Sequence, residues 1–186
     1  MNIGLFFGTF NPVHLGHIKI ISNILQQKLF DQIWIILSPR SPHKKYNLID
    51  KNDRYHMLEI AFANYKKVIV SDVEFSLNEP NYTAITLDYL KKKYSKNNFS
   101  IIMGSDSYLT VGSWLRAKDV FKNKIYVYPR KDYIIKKIEG DTTILDLDEM
   151  EISSTLIRNK FKKEVKDVVQ YLNHDVFKYI NRKNLY

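Results

Sequence analysis

The feature that most constrains this chain is a regular alternation of short apolar runs with stretches of helical spacing. Residues 3–7 form an apolar run ending at Gly8, followed by a turn-like Thr9-Phe10-Asn11-Pro12 and then by Ile18, Ile21, Leu25 and Leu29 on one helical face. The signal repeats. Residues 33–37 and 67–70 read as strands around a helix over 53–65, in which Met57, Ile60 and Ala61 share a face; residues 83–94 read as a helix through Leu87 and Leu90, and 99–103 as a strand that meets Gly104. Strands are expected at 125–128 and 142–147, and from about 154 to 180 only helical spacing remains. Strands alternating with helices imply parallel pairing through crossovers, hence an α/β, doubly wound, Rossmann-like domain with a mainly parallel sheet and a helical C-terminus. Ligands of such sheets sit outside the carboxyl ends of the strands. Segments 8–17, 38–44, 72–83, 104–114 and 152–158 are expected along that edge.

With 186 residues, no repeat and no linker-like break in composition, one domain spanning 1–186 is expected. The absence of cysteine excludes disulfides, thiolate metal sites and cysteine nucleophiles, and fits a reducing cytoplasm. The N-terminus lacks the pattern of a signal peptide and no apolar run is long enough to span a bilayer, so no membrane partner is expected. A net charge of +9 admits a polyanionic partner, but residues 1–93 and 94–186 carry +4 and +5, and 23 of the 29 basic residues are lysine. Small phosphorylated ligands account for that sign as well as nucleic acid does, and the aromatic residues lack the interleaved pattern of an RNA-binding sheet. A non-enzymatic RNA-binding module explains the charge alone, so no nucleic-acid partner is expected. Oligomeric state is not legible, and a homo-oligomer is compatible with the sequence.

The first strand is followed by neither a dinucleotide fingerprint nor a P-loop. Instead, Gly8-Thr9-Phe10-Asn11-Pro12-Val13-His14-Leu15-Gly16-His17 sets two imidazoles three residues apart at a helix start, beside backbone N–H groups and the positive end of the helix dipole. Gly8 would let backbone approach an anion, and Gly16 would leave a flat helix surface for a base or ribose. Near the other end, Ser153, Ser154 and Thr155 precede a helix that carries Arg158 one turn in, a cap with a guanidinium suited to phosphate. Each segment taken alone is compatible with plain helix capping or, for the histidines, a metal pair.

Gly8 to His17 resembles the G-T-F-D/N-P-x-H-x-G-H signature of the nucleotidyltransferase superfamily, and Ile152-Ser153-Ser154-Thr155-Leu156-Ile157-Arg158 resembles its I-S-S-T-x-I/V-R signature. Three further segments are similar to those of the bacterial nicotinate mononucleotide adenylyltransferase family: Pro39-Arg40-Ser41-Pro42-His43-Lys44, Tyr82-Thr83-Ala84-Ile85-Thr86-Leu87, and Gly104-Ser105-Asp106 with Trp114. Ser41 replaces a proline of that pattern, Ile85 replaces an acid, and Arg130-Lys131-Asp132-Tyr133 matches an R-P-G-Y loop only in part.

The resemblance implies transfer of the adenylyl group of ATP to nicotinate mononucleotide, with Mg²⁺ carried by the phosphates rather than by a protein cage. It implies that His14, His17 and Arg158 are catalytic and that Gly8, Thr9, Phe10, Gly16, Gly104, Asp106, Ile152, Ser153, Ser154 and Thr155 join them around ATP. Lys44, Tyr82, Thr83 and Trp114 would face the second nucleotide. A sister transferase acting on nicotinamide mononucleotide, phosphopantetheine or a cytidylyl acceptor would keep the two signatures without the Lys44, Thr83 and Trp114 set.

Overall fold

The computed structural model describes residues 1–42, 48–149 and 151–186. In it the strands β1 (Asn2–Gly8), β2 (Gln32–Leu37), β3 (Val68–Ser71), β4 (Asn98–Gly104), β5 (Ile125–Tyr128) and β6 (Thr142–Ile144) form one sheet in the order β3-β2-β1-β4-β5-β6. Every pairing is parallel. The helices are α1 (Leu15–Gln26), α2 (Lys51–Phe62), α3 (Thr83–Lys93), α4 (Ser105–Tyr108), α5 (Ala117–Phe121), α6 (Ser154–Lys162) and α7 (His174–Lys183), with short 3-10 turns at Val73–Ser76, Val111–Ser113 and Lys166–Tyr171.

The apolar runs are nearly continuous because both faces of the sheet are covered. Along β1 the period of two sends Ile3 and Leu5 to one face and Phe6 to the other. Phe6 joins Ile20, Ile21 and Ile24 of α1, Met57 and Leu58 of α2 and Val176 and Ile180 of α7. Ile3 and Leu5 join Ala84, Leu87 and Leu90 of α3 and Val120 of α5. Tyr179 on α7 donates to Asp53 Oδ1 on α2 at 2.6 Å, which fastens the C-terminal helix to the body.

Local chemistry moves several boundaries from their expected places. The first helix ends at Gln26, and Lys28 takes a left-handed φ of 54°, so Leu29 packs from the turn rather than from the helical face. Asp50 accepts from the Asn52 N–H at 2.7 Å, and this cap starts α2 at Lys51. The expected strand over 142–147 ends at Ile144, just before the Leu145 N–H donates to the Val127 carbonyl of β5 at 2.8 Å. In the C-terminal part, α6 gives way to the 3-10 turn, and α7 restarts where the Asn173 side chain caps Asp175 and Val176.

Candidate active site

The strand order reverses between β1 and β4, and the cleft of this fold opens there, beyond Gly8 and Gly104. Its volume is about 410 Å³. It is lined by groups from both ends of the chain, including Gly8, Thr9, Phe10, His14, His17, Asp106, Arg130, Ser153, Ser154, Thr155 and Arg158, and by Tyr82, Thr83 and Trp114.

At the end of β1, the Cβ that Gly8 lacks would stand 2.8 Å from Cζ of Phe10. Phe10 adopts a left-handed φ of 44°, uncommon for a bulky side chain, and its buried ring packs on Phe6 and His17 with centroids 5.7 and 5.0 Å away. The glycine therefore admits an aromatic ring that backs His17. His14 is the N-cap residue of α1, in extended backbone. Its N–H donates to His17 Nδ1 at 3.2 Å, which places the His17 proton on Nε2. The two imidazoles stack with centroids 3.7 Å apart. Burial, aided by the charge of Arg130, pushes His14 down to about 3, so it is neutral at physiological pH. Its Nδ1 is buried without a hydrogen-bond partner. Gly16 is buried in the first turn of α1.

The second segment closes onto the first. Ser153 caps α6, its Oγ accepting from the Leu156 N–H at 3.2 Å. The Ser154 hydroxyl donates to the Pro12 carbonyl at 2.8 Å, and Arg158 donates to the Asn11 carbonyl at 2.8 Å and to Thr155 Oγ1 at 3.0 Å. Only the first hydroxyl of the run is thus a simple cap. Across the cleft, a Cβ on Gly104 would collide with Oδ1 of Asp106, so the glycine lets that carboxylate fold over the end of β4. Arg130, whose role the sequence left open, donates from its N–H to Ser105 Oγ at 2.9 Å and from Nη1 to the Ile152 carbonyl at 3.3 Å. It bridges β4's end to the second segment.

The remaining wall is less charged. Tyr82 precedes α3, Thr83 opens it, and the Trp114 indole N–H donates to Thr110 Oγ1 at 3.1 Å. Ser41 and Pro42 also reach this wall. Lys44 lies outside the described residues. Ile85, where the family pattern has an acid, is exposed on α3.

Two further residues were not singled out from the sequence. Arg54 on α2, only 2% exposed, donates to the carbonyls of Ile49, Thr9, Ser38 and Pro39 at 2.9 to 3.0 Å. It ties the loop after β1 to the loop after β2. Glu74 is buried on the cleft wall, and its available signal was an acid between Val73 and Phe75 in the edge segment 72–83.

What the site can do follows from its donors. A helix start, a ring that carries its proton on Nε2 and two arginines line a cleft suited to anionic oxygens, together with hydroxyls and the face of an indole. Among the described residues no group of three or more His, Asp or Glu side chains comes together to hold a metal ion, and no helix is long and apolar enough to cross a membrane.

The model of the cytidylyltransferase-like family matches residues 5–160. The chain is 40% identical over 192 residues to a Flavobacterium johnsoniae protein named "probable nicotinate-nucleotide adenylyltransferase", covering 100% of this chain and 99% of that one. A protein of the same name from Christiangramia forsetii is 38% identical over 190 residues, covering 99% and 97%. Among solved structures, the Plasmodium falciparum nicotinic acid mononucleotide adenylyltransferase complexed with NaAD has the same fold, with a TM-score of 0.87 at 23% identity over 99% of this chain and 96% of that one.

Proposed function

Because the chain belongs to the cytidylyltransferase-like family, and within it to the nicotinate-nucleotide adenylyltransferases, we infer that it joins ATP to nicotinate mononucleotide, giving deamido-NAD and pyrophosphate. One observation carries the reading at the level of geometry: a cleft at the strand-order reversal is lined both by the two signature segments and by Thr83 and Trp114.

The nucleophile is a phosphate oxygen of the mononucleotide. A phosphomonoester's second pKa is about 6, so the oxygen is anionic near neutral pH and needs no general base. It attacks the α-phosphorus of ATP in line; the new P–O bond forms as the bond to the bridging oxygen breaks, and the electron pair leaves with pyrophosphate. Catalysis is then alignment and charge. His17, its tautomer set by the His14 N–H, donates from Nε2 to the phosphate oxygens on which charge grows. Arg158 and the N-terminus of α6 receive the triphosphate. His14, being neutral, contributes a hydrogen bond without the repulsion that two stacked cations would bring. Asp106 takes the ATP ribose, Ile152 flanks adenine, and Thr83, Tyr82 and Trp114 face the pyridine nucleotide.

Members of this superfamily work with divalent metal on their nucleotides. Mg²⁺ would come with the nucleotide as part of the substrate, held by its phosphates, and would supply charge neutralisation to the leaving pyrophosphate. The test is pyrophosphate release from ATP and from CTP with a panel of acceptors: nicotinate mononucleotide, nicotinamide mononucleotide and phosphopantetheine. Turnover with ATP and the nicotinate acceptor is expected. Preference for any other pair overturns the assignment.

A further inference from the structure

Residues 184–186 pack behind the loop that follows β1, and the chemistry above does not use them. Helix α7 ends at Lys183, and Asn184 takes a left-handed φ of 51°, a conformation that asparagine tolerates. The chain turns back there, and the Leu185 N–H donates to the Ile180 carbonyl at 3.2 Å. Leu185 packs against the core, and Tyr186 is carried toward the loop after β1.

Tyr186 touches both signature segments. Its hydroxyl donates to Asn11 Oδ1 at 2.7 Å, and its ring stacks on Phe161 of α6, with centroids 5.6 Å apart and planes 23° apart. Phe161 lies three residues beyond Arg158 on the same helix and stacks in turn on Phe177 of α7 at 6.4 Å. Asn11 is 1% exposed, and its Nδ2 is buried with no hydrogen-bond partner among the described residues. The bond from Tyr186 therefore fixes how this amide is turned. Arg158 donates to the carbonyl of the same residue at 2.8 Å, so the hydroxyl and the guanidinium meet at Asn11, one on its side chain and one on its main chain.

We propose that Tyr186 is a positioning residue for adenylyl transfer, holding Asn11 so that its carbonyl anchors the Arg158 guanidinium at the cleft. The proposal rests on Arg158 receiving the triphosphate, as read above, and is independent of which acceptor is used. Among the described residues that line the cleft are His14, Arg158 and Thr9, but neither Tyr186 nor Asn11, so an effect of Tyr186 on turnover passes through what it holds. Small displacements of an aligning group are expensive in rate, because in-line transfer depends on alignment. The ring on Phe161 holds α6, the hydroxyl on Asn11 holds the loop, and Arg158 is placed between the two.

The test is Tyr186→Phe, which removes the hydroxyl and keeps the ring, made in the wild type and in Arg158→Ala, with pyrophosphate release followed for ATP and each acceptor of the panel. In the wild type the change should lower kcat by about 3- to 10-fold, the worth of one hydrogen bond, with KM for the acceptor within about twofold. In Arg158→Ala it should lower kcat by less than about 1.5-fold, since the group it positions is gone. Tyr186→Leu, which also removes the ring from Phe161, should fall below Tyr186→Phe in the wild type. A structural role would lower the urea midpoint alike in both backgrounds and leave kcat of the folded enzyme unchanged, which overturns the proposal. An equal loss of kcat in both backgrounds overturns it too, because the effect then bypasses Arg158. A wild type that releases no pyrophosphate with any acceptor overturns the transferase reading and this role with it; a wild type that turns over and is matched by Tyr186→Phe overturns Tyr186 alone.

Discussion

Arg158 reaches 147 positions back along the chain to donate from Nη1 to the Asn11 carbonyl at 2.8 Å, and that bond joins the two signature segments at the cleft. The same guanidinium donates to Thr155 Oγ1, so its plane is fixed relative to both α6 and the loop after β1. Lysine keeps the charge but cannot span two such acceptors at fixed angles while also facing a phosphate. Arg158→Ala is expected to lower kcat by about 10²- to 10³-fold. Arg158→Lys should recover only part of that loss. Steady-state kinetics on ATP check this: wild-type values in both variants would return Arg158 to a structural tie between segments.

His14 makes stability depend on acid. The imidazole titrates at 6.5 when unperturbed and at about 3 in the fold. Above 6.5 both the folded and the unfolded chain carry a neutral ring, so the shift has no effect there. Below it the unfolded chain binds a proton that the buried ring does not, so the unfolded state holds more protons and stability falls with pH until about 3. Each pH unit in that window removes up to about 1.4 kcal/mol. Urea titrations between pH 7 and 4.5 should show a loss about 2 kcal/mol larger for wild type than for His14→Gln, which lacks the titrating group. Parallel slopes would show that His14 is reached by solvent.

The fold was legible because it rests on a period. Buried strands such as 33–37 and helix faces such as Leu87 and Leu90 repeat, and repetition survives without knowledge of tertiary contacts. The site was legible where glycine, proline, histidine and hydroxyl residues cluster in one short segment. What escaped were residues whose role exists only across the fold. Arg54 reads as one polar residue on a helix of mixed pattern, and only folding brings the carbonyls of Thr9 and Pro39 onto its guanidinium. Glu74 reads as a loop acid until its burial and its Thr86 partner are seen. Boundaries moved where a single cap, such as Asp50 or Asn173, outweighed the periodic signal.

Arg54 should therefore be a hub for both substrates without touching either. Its bond to Thr9 holds the loop after β1, proposed for ATP, and those to Ser38 and Pro39 hold the loop after β2, proposed for the acceptor. Arg54→Lys leaves several buried carbonyls unpaired, and an expected loss of about 2 to 4 kcal/mol follows, since each unmet buried group costs about 1 to 3. KM should rise for ATP and for the acceptor together, with kcat changing less. Chemical denaturation and two-substrate kinetics test this. A rise confined to one substrate would show that the two loops are set independently.

Choice of the acid over the amide is expected to depend on donors at the start of α3 rather than on the tryptophan. A pyridine ring can stack on Trp114, a contact worth about 0.5 to 1.5 kcal/mol beyond burial, but acid and amide rings stack almost alike. Because Trp114 gives its indole N–H to Thr110, its direct offering to the ring is a face, which does not read the carboxyl substituent. Thr83 differs. It is the first residue of α3, where the N–H groups of Thr83 and Ala84 precede the first bonds to the Tyr82 carbonyl, and it lines the same cleft. Nicotinate presents two acceptor oxygens to such donors, whereas nicotinamide turns an NH₂ toward them and leaves a donor facing a donor. Mismatches of that kind can approach ~10⁴-fold in discrimination when several groups act together. Trp114→Ala should thus weaken both acceptors by a similar factor and leave their ratio of kcat/KM unchanged. Thr83→Val removes one donor, keeps the helix start and the side-chain volume, and should narrow the acid-to-amide ratio by roughly tenfold, the worth of one hydrogen bond to a charged group. Paired kcat/KM measurements on the two mononucleotides decide it: a ratio that collapses in Trp114→Ala and holds in Thr83→Val would move discrimination from the helix start to the ring.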